Sequence, residues 1–443
     1  MRRCAARGAP LTGACGPEGR RSGDRTIRDR IRNRSTGVAA ILVLAAGLLS
    51  AAPVRAEVRS GQIANQGLDF AVGSLEAGVS ARSDGLYASR EAGFESVPID
   101  TGGTFSAIGP HWRGTSGVTV ELGVSPDGDR WGSWIAVPEE GMIEDLREDG
   151  RPNPFAGEAA GALVFVAPES RWVRYRLRLP GTPRNEASLT SFTLHVIDPG
   201  PAEARDRPTP LHPAPTPLGT PAAGATAAPF PRRALAPAPE IPTSIPGPAS
   251  PPISARVAWG ARPPRNDYSY TMAGHIGFHH TATIEDWSAQ TWADCAARVR
   301  AIQTYHMDTN GWNDIGYAYV VCRHGHVFQA REDDDDATDV HGAHDGFNRG
   351  STGIALLGYF HPPVDHLPTA AQVASLVDLM AWIAGRRSIA PLGRSLYEAF
   401  GAPVDNVYGH REVKATDCPG DRLFVLKEVI RASVAERLLR LIY

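Results

Sequence analysis

The sequence has few cysteines, five in 443 residues, and no two of them form a Cys-x-x-Cys pair. This absence excludes zinc fingers, which are built on such pairs. A strong net charge is also missing, since the formal charge is −3 at pH 7. We therefore expect neither a nucleic-acid partner nor an acidic solvating tail. The length alone favours two or three domains.

The N-terminus has the residue order of a secretory leader. Residues 1–36 are rich in arginine, and an apolar run, GVAAILVLAAGLLSAAPVRA, follows them. Val54 and Ala56 stand at the −3 and −1 positions of a cut before Glu57. We predict that residues 1–56 are a signal peptide and that the protein is secreted or periplasmic. The alternative is an uncleaved membrane anchor, because the run is almost long enough to span a bilayer.

Cleavage of this leader removes two cysteines and leaves Cys295, Cys322 and Cys418. In an oxidising compartment a free thiol is a liability. The three cysteines then make one disulfide and an odd thiol, or one disulfide and a metal ligand.

Residues 57–198 are predicted to be an accessory all-β domain, a β-sandwich. Runs such as GVTVELGVS, WVRYRLRLP and SFTLHVID alternate apolar and polar residues between Gly-, Pro- and Asp-rich turns. Residues 199–252 are rich in proline and alanine and are predicted to be an extended linker.

Residues 253–443 interleave strand and helix patterns. GHIGFHHTA and STGIALLGYF indicate strands, IGYAYVVCRHGHVFQA indicates a hairpin, and AARVRAIQTYHMD indicates a helix that stops at Asn310–Gly311. Thr369 and Gln372 form a capping box before another helix, and Asp421 opens the last one. We predict the α/β class, with a mixed central sheet flanked by helices.

The stretch GHREVKATDCPGD places His410 and Cys418 eight residues apart. A lone histidine at a strand end is usually hydrogen-bonded surface, and a lone buried cysteine is usually a small apolar side chain. A pair of histidines, His279 and His280, stands at the end of another apolar strand. Catalytic zinc takes three protein ligands and leaves one position for water. His279, His410 and Cys418 are therefore candidate ligands.

Five segments occur together in the order known from one family: ISARVAWGARPP, FHHTAT, RVRAIQTYHMDTNGWNDIGYAYVV, GAHDGFN and GHREVKATDCPGD. In these segments the chain resembles the peptidoglycan recognition proteins and the related zinc-dependent N-acetylmuramoyl-L-alanine amidases. The resemblance covers essentially all of residues 253–443. Residues 65–198 more loosely resemble the domain that precedes such domains in some bacterial proteins.

The resemblance implies roles for particular residues. His279, His410 and Cys418 would bind Zn²⁺, and Tyr317 matches the catalytic tyrosine of the family. Thr416 stands where phage enzymes carry a catalytic lysine and animal amidases tend to have threonine. Receptor members that bind without cutting typically lack the cysteine, so Cys418 favours an enzyme.

The resemblance also assigns a substrate cleft for the muramyl peptide. His280 would pack beside the ligands or line this cleft, and the other implied substrate-binding residues are His306, Trp312, Arg331, His344 and Asn348. An acidic run from Glu332 to Asp336 replaces a short segment that reads the third stem residue in the family. The run is predicted to be a solvated loop; a calcium-binding loop and an altered peptide preference are the alternatives. The family often pairs cysteines where Cys295 and Cys322 stand, which implies a disulfide between them.

These expectations favour a secreted monomeric enzyme that cuts the amide between N-acetylmuramic acid and L-alanine of peptidoglycan. The first alternative is a peptidoglycan-binding receptor or adaptor whose zinc is structural. A second is a zinc enzyme acting on another amide.

Overall fold

The computed structural model of the chain describes residues 59–66, 73–143, 152–200, 248–284, 291–331, 339–340 and 346–439. The predicted leader and residues 201–247 of the predicted linker lie outside these ranges. Among the described residues, no helix is long and apolar enough to cross a membrane. The described residues belong to a single compact unit.

Residues 59–200, here called the β region, contain strands in the described part and no helix there. The all-β prediction is confirmed at this level. The strands are β1 (Arg59–Gln66), β2 (Ser74–Leu75), β3 (Val79–Arg82), β4 (Gly85–Ala88), β5 (Glu91–Glu95), β6 (Ile99–Gly114), β7 (Thr119–Ser125), β8 (Ile135–Val137), β9 (Glu139–Met142), β10 (Ala159–Gly161), β11 (Val164–Pro180) and β12 (Ala187–Asp198).

Three long antiparallel strands organise the β region. Strand β6 pairs with both β11 and β12, and the shorter strands attach to these three, so that the described strands form one twelve-stranded network. In β11 the alternation of RYRLRL buries Tyr175, Leu177 and Leu179 and leaves the intervening arginines outside, as period-two side-chain geometry requires. The sandwich packing of this sheet stays a prediction.

Residues 248–439, here called the C-terminal region, mix strands and helices. The strands are β13 (Ile253–Ser254), β14 (Tyr270–Thr271), β15 (His275–His280), β16 (Tyr319–Val321), β17 (Val327–Gln329), β18 (Asp339–Val340), β19 (Ser351–Leu356), β20 (Arg394–Tyr397), β21 (Ala402–Asp405) and β22 (Val407–Gly409). The helices are α1 (Arg256–Trp259), α2 (Trp292–Asp308), α3 (Ala370–Arg387), α4 (Asp421–Phe424) and α5 (Lys427–Leu439), with a 3₁₀ turn at His410–Glu412.

Six of these strands form a mixed sheet in the order β13-β17-β16-β19-β15-β22. Only β16 and β17 pair antiparallel within it, as the predicted hairpin. Apolar side chains of α3 and α5 pack on one face of the sheet, and those of α2 pack on the other. The predicted mixed sheet with flanking helices is confirmed.

The helix ends follow local side-chain chemistry. Thr369 and Gln372 form the predicted capping box of α3. A second capping box, Thr291 with Asp294, starts α2 earlier than the apolar spacing indicated. The predicted last helix begins at Asp421 but is divided into α4 and α5.

The β region and the C-terminal region share a hydrophobic core. Ala107, Leu163, Phe165 and Ile197 of the β region lie in one buried cluster with Val299 and other residues of α2. The Arg300 guanidinium on α2 donates to the carbonyl oxygens of Pro199 and Gly200, each at 2.8 Å. The start of the predicted linker is therefore held against α2.

Candidate metal centre

The two candidate histidine ligands leave neighbouring strands at the same edge of the mixed sheet. Strands β15 and β22 are parallel, and their register pairs Phe278 with Gly409. The next residues are His279 and His410, whose ring centroids lie 4.6 Å apart. The sheet thus fixes both imidazoles next to each other at one edge.

Cys418 reaches the same point from the loop after the 3₁₀ turn. Its backbone carbonyl accepts from the Arg411 N–H at 2.9 Å, and its own N–H donates to Thr416 Oγ1 at 3.2 Å. These bonds hold the Cys418 Sγ atom 3.5 Å from His279 Nδ1.

The donor set fits zinc. One ligand atom from each of His279, His410 and Cys418 lies within 4.8 Å of the others. Zinc binds nitrogen at about 2.0–2.1 Å and sulfur at about 2.3 Å, so tetrahedral geometry separates the two donors by about 3.5 Å. The distance between Sγ and Nδ1 agrees with that value. Burial raises the pKa of the Cys418 thiol to about 12, and a bound cation is what favours the thiolate in such a site.

Tyr317 lies beside these residues. Its ring centroid is 5.7 Å from that of His279, and its hydroxyl donates to the His280 carbonyl oxygen at 3.3 Å. Burial, followed by the nearby Cys418 and Glu140, raises the pKa of this phenol well above its usual value. Tyr317 is therefore a hydrogen-bond donor near neutral pH. The Thr416 side chain faces the backbone of Cys418 through the bond described above.

Three predicted cleft residues form a wall next to Tyr317. The His306 ring lies 4.5 Å from Trp312 and 5.7 Å from Tyr317 between centroids, and its Nδ1 accepts from the Gly316 N–H at 3.0 Å. Burial, with a smaller effect of Arg331, lowers the pKa of His306 to about 3. Arg331 is buried and donates from Nε to the Ile315 carbonyl at 2.8 Å.

Two of the remaining predicted substrate residues, His280 and Asn348, lie in the described part of the chain. His280 is buried on the sheet, where its Nδ1 accepts from the Phe360 N–H at 3.4 Å and its ring lies 5.5 Å from Tyr359; this is the packing alternative. Asn348 is half-buried in the segment before β19. His344 and the acidic run lie outside the described residues, and substrate roles for all of these stay predictions.

The disulfide joins two elements that frame the site. Cys295 on α2 and Cys322, directly after β16, are bonded with a Cα–Cα distance of 6.0 Å, and both are fully buried. Cys418 is the remaining cysteine of the C-terminal region and is free of disulfide bonds.

One residue at the site comes from the β region and was missed by sequence reasoning. The Glu140 carboxylate on β9 shares a hydrogen bond with the Tyr359 hydroxyl, and its charge reaches the Tyr317 phenol and the Cys418 thiol. A single glutamate in a polar strand carries no motif, so only the packing of the two regions places it here.

The fold and the His–His–Cys cluster together define an amidase-like domain with a candidate zinc centre. A family model described as N-acetylmuramoyl-L-alanine amidase matches residues 269–421. The N-acetylmuramoyl-L-alanine amidase of Homo sapiens is 34% identical over 179 residues, which are 40% of this chain and 28% of that protein. Peptidoglycan-recognition protein SC2 of Drosophila simulans is 31% identical over 176 residues, 39% of this chain and 82% of that protein.

The chain therefore belongs to the peptidoglycan-recognition protein family. It spans only 28% and 26% of the length of the human and pig amidases that it matches. The solved structure of wild-type Drosophila peptidoglycan recognition protein LB is 28% identical and covers 39% of this chain and 90% of that one, with a TM-score of 0.31.

Proposed function

We propose that this protein is a zinc-dependent amidase that hydrolyses the bond between N-acetylmuramic acid and the L-alanine of peptidoglycan. The observation that carries the proposal is the convergence of His279, His410 and Cys418, with the Tyr317 phenol beside them. A His₂Cys set leaves a fourth position open, as catalytic zinc sites do.

The side chains have distinct tasks in this reaction. Zinc held by His279, His410 and Cys418 would lower the pKa of water and polarise the carbonyl of the amide. Tyr317, kept protonated by its surroundings, would move its hydroxyl from the His280 carbonyl to the developing oxyanion. Thr416 would keep the Cys418 loop in place through the Cys418 N–H. His306 and Trp312 would form the wall along which the peptide lies.

The proposal includes export of the protein, with peptidoglycan as its partner and a monomer as the working form. The buried disulfide supports export, because such bonds form and persist in oxidising compartments. The predicted leader at residues 1–56, cleaved or retained as an anchor, would direct the chain there.

The test is digestion of peptidoglycan sacculi by the purified full chain, with zinc content measured and released fragments identified by mass spectrometry. We expect free stem peptides that begin at L-alanine. Cys418→Ser removes the thiolate ligand and should lower their release by roughly 100-fold or more, since even the outer partners of metal ligands matter 10- to 100-fold. Val425→Ser, at a position that is 75% exposed in the same segment, is the matched control and should cut like the wild type.

Tight binding to sacculi without peptide release from wild type would contradict the enzyme and leave a receptor or adaptor. Release of fragments with a different new terminus would instead assign another amide bond to the same centre. Full activity of Cys418→Ser at an unchanged zinc content would remove Cys418 from the ligand set.

A further inference from the structure

Lys427 is a buried cation on α5, with only 9% of its surface exposed. Its Nζ atom lies 2.6 Å from Asp405 Oδ2 and 2.6 Å from Glu412 Oε1. Glu428 is farther away, with its Oε1 atom at 3.8 Å. A lysine is almost never buried unless it is paired, because removing its charge from water is costly. One of these carboxylates, that of Glu412, also bonds to the backbone next to a candidate metal ligand.

The second oxygen of Glu412 holds the residue that precedes His410. Glu412 Oε2 accepts from the Gly409 N–H at 2.9 Å. The side chain therefore reaches back over the 3₁₀ turn His410–Glu412, as the third residue of a capping box does. Strand β22 ends at Gly409 and is the last strand in the order of the mixed sheet. Glu412 thus joins the end of this edge strand to the turn that follows it.

The glycine directly before His410 would by itself leave the direction of the histidine ring poorly fixed. Without a Cβ atom, glycine adopts many backbone conformations, and each of them would send the His410 ring in a different direction. In the structure Gly409 is extended, with φ −87° and ψ 145°. A Cβ atom at this residue would meet the Phe424 ring at 2.7 Å, so the packing favours glycine here. The bond from Glu412 restricts the freedom that this glycine brings.

The same turn is attached to the Cys418 loop. Arg411, the middle residue of the turn, donates its backbone N–H to the Cys418 carbonyl oxygen at 2.9 Å. Its guanidinium donates to the Asp421 carboxylate at 2.6 Å, on the far side of the same loop. Two of the three candidate ligands, His410 and Cys418, are therefore connected to the turn that Glu412 closes.

We propose that Glu412 is a positioning residue of the metal centre and that Lys427 holds its carboxylate in place. This role rests on the zinc centre of the proposed function, and it does not depend on which amide bond is cut. Lys427 binds Glu412 Oε1, which leaves Oε2 directed at the Gly409 N–H. The His410 ring is then ordered before the metal binds. A site that is ordered in advance binds more tightly, because less conformational entropy is lost on binding.

A purely structural ion cluster is the alternative role. Lys427 and Arg431 of α5 both lie against Asp405, at 2.6 and 3.2 Å, which ties the last helix to the segment before β22. Loss of a carboxylate from such a cluster would lower stability and leave the zinc affinity of the folded protein unchanged.

Asp405 and Glu412 form a matched pair for separating the two roles. Both carboxylates lie 2.6 Å from the same ammonium, and their side chains are similarly enclosed, with 16% and 24% of their surface exposed. The carboxylate that bonds to Gly409 is that of Glu412. A positioning role therefore predicts different zinc affinities for variants of the two residues, and a structural role predicts equal ones.

The experiment measures the zinc affinity of the metal-free full chain by competition with a chromophoric chelator, at a temperature where every variant is folded. Glu412→Ala should bind zinc about 10- to 100-fold more weakly than the wild type, as loss of an outer partner of a metal ligand does. Lys427→Met should also weaken zinc binding, because the carboxylate is no longer held. Glu412→Gln keeps the volume and one acceptor oxygen, so its loss should be smaller than that of Glu412→Ala.

Asp405→Asn and Glu428→Gln are the controls and should bind zinc like the wild type, with melting temperatures measured in parallel. Wild-type zinc affinity in Glu412→Ala would overturn the proposal. An equal loss of affinity in Asp405→Asn would also overturn it and assign the cluster to stability alone. If Glu412→Ala does not fold, Glu412→Gln and Lys427→Met decide through the same comparison with Asp405→Asn.

Failure of the proposed function gives a different result. A wild type that binds zinc with this dependence on Glu412 but releases no stem peptide from sacculi supports the positioning role and overturns the amidase. A wild type without measurable zinc affinity overturns both.

Discussion

The buried side chain of His195 makes the stability of the protein depend on pH. It is 4% exposed, its Nε2 lies 2.6 Å from His111 Nε2, and the ring meets Tyr305 edge-on at 6.2 Å. Burial, with a smaller effect of His111, lowers the pKa of His195 to about 3 from a usual 6.5. The folded state therefore holds His195 neutral where the unfolded chain would protonate it.

This depressed pKa predicts a loss of stability in acid. Between pH 6.5 and pH 3 the unfolded chain binds a proton at His195 that the folded chain does not bind, so stability falls as the pH falls through this window. The contribution of His195 amounts to about 2 kcal/mol between pH 7.5 and pH 5. The measurement is urea unfolding of wild type and His195→Gln at both pH values.

The variant should show a smaller loss of stability on acidification than the wild type by about that amount. Its absolute stability is not the readout, because the substitution also removes contacts with His111 and Tyr305. Equal losses in the two proteins would show that His195 does not resist protonation in the folded state.

At the scale of elements, helix α2 contacts the mixed sheet, the β region and the wall beside Tyr317. Val299 and Ile302 pack toward the mixed sheet, Arg300 and Tyr305 bind the β region, and His306 lines the wall beside Tyr317. A change that frays this helix is therefore transmitted to both regions. Its first turn depends on the capping box of Thr291 and Asp294.

Thr291→Ala should destabilise the protein by about 1 kcal/mol, since an N-cap hydroxyl satisfies an N–H of the first turn that the helix cannot. In the structure Thr291 Oγ1 accepts from the Asp294 N–H at 3.1 Å. Urea unfolding at neutral pH measures the change. Thr291→Ser keeps the hydroxyl and should lie within a few tenths of a kcal/mol of wild type; equal stability of all three proteins would contradict the cap.

The sequence allowed the mixed sheet, the hairpin and the α3 cap to be predicted, because each depends on residues close together in the chain. The start of α2 and the break between α4 and α5 were not predicted, since the apolar spacing marks the buried face of a helix and not its first turn. His279, His410 and Cys418 were found as strand-end polar residues within a linked set of motifs. Glu140 had no such signal, because the site residues near it are more than one hundred residues away in the chain. The contact between Tyr305 and Gly161, which are 144 residues apart, was not predicted for the same reason.

At the scale of the whole molecule, the two regions are joined by the buried core that they share. Phe165 and Leu163 are buried with α2 residues, and the Phe165 ring also lies under the Arg298 guanidinium at 5.1 Å. The hydrophobic contact and the backbone bonds that Ile284 makes with Phe165 and Leu163 do not involve residues 201–247. These contacts join the two regions in addition to the covalent connection.

We predict that cutting the chain at a protease site inserted within residues 201–247 leaves the two pieces associated. Apolar burial at the shared core favours association, and the cut removes none of those contacts. Size-exclusion chromatography of the cut protein measures this, with the uncut chain as reference. Co-elution of both pieces is expected, and separate elution at micromolar concentration would contradict it.

Gly109→Val provides a matched test of the same interface. A Cβ atom at residue 109 would meet the Tyr305 ring at 2.5 Å, which is closer than non-bonded carbon atoms approach, so the buried Tyr305 ring or the helix that carries it has to move. The cut Gly109→Val protein should separate where the cut wild type does not. Gly103→Val, on the same strand and with nothing within 4 Å of its Cβ, shows the effect of a valine in this strand without the interface.

The close contact between the Tyr305 ring and Gly109 also has a consequence for the construction of chimeric proteins. If the C-terminal region were joined to a different β module, its Tyr305 ring would clash with that module unless the position that matches Gly109 were also glycine. The tyrosine would then push the new module away, and the core shared by the two regions would not form. Exchange of parts between relatives should therefore succeed only when the glycine and the tyrosine are transferred together.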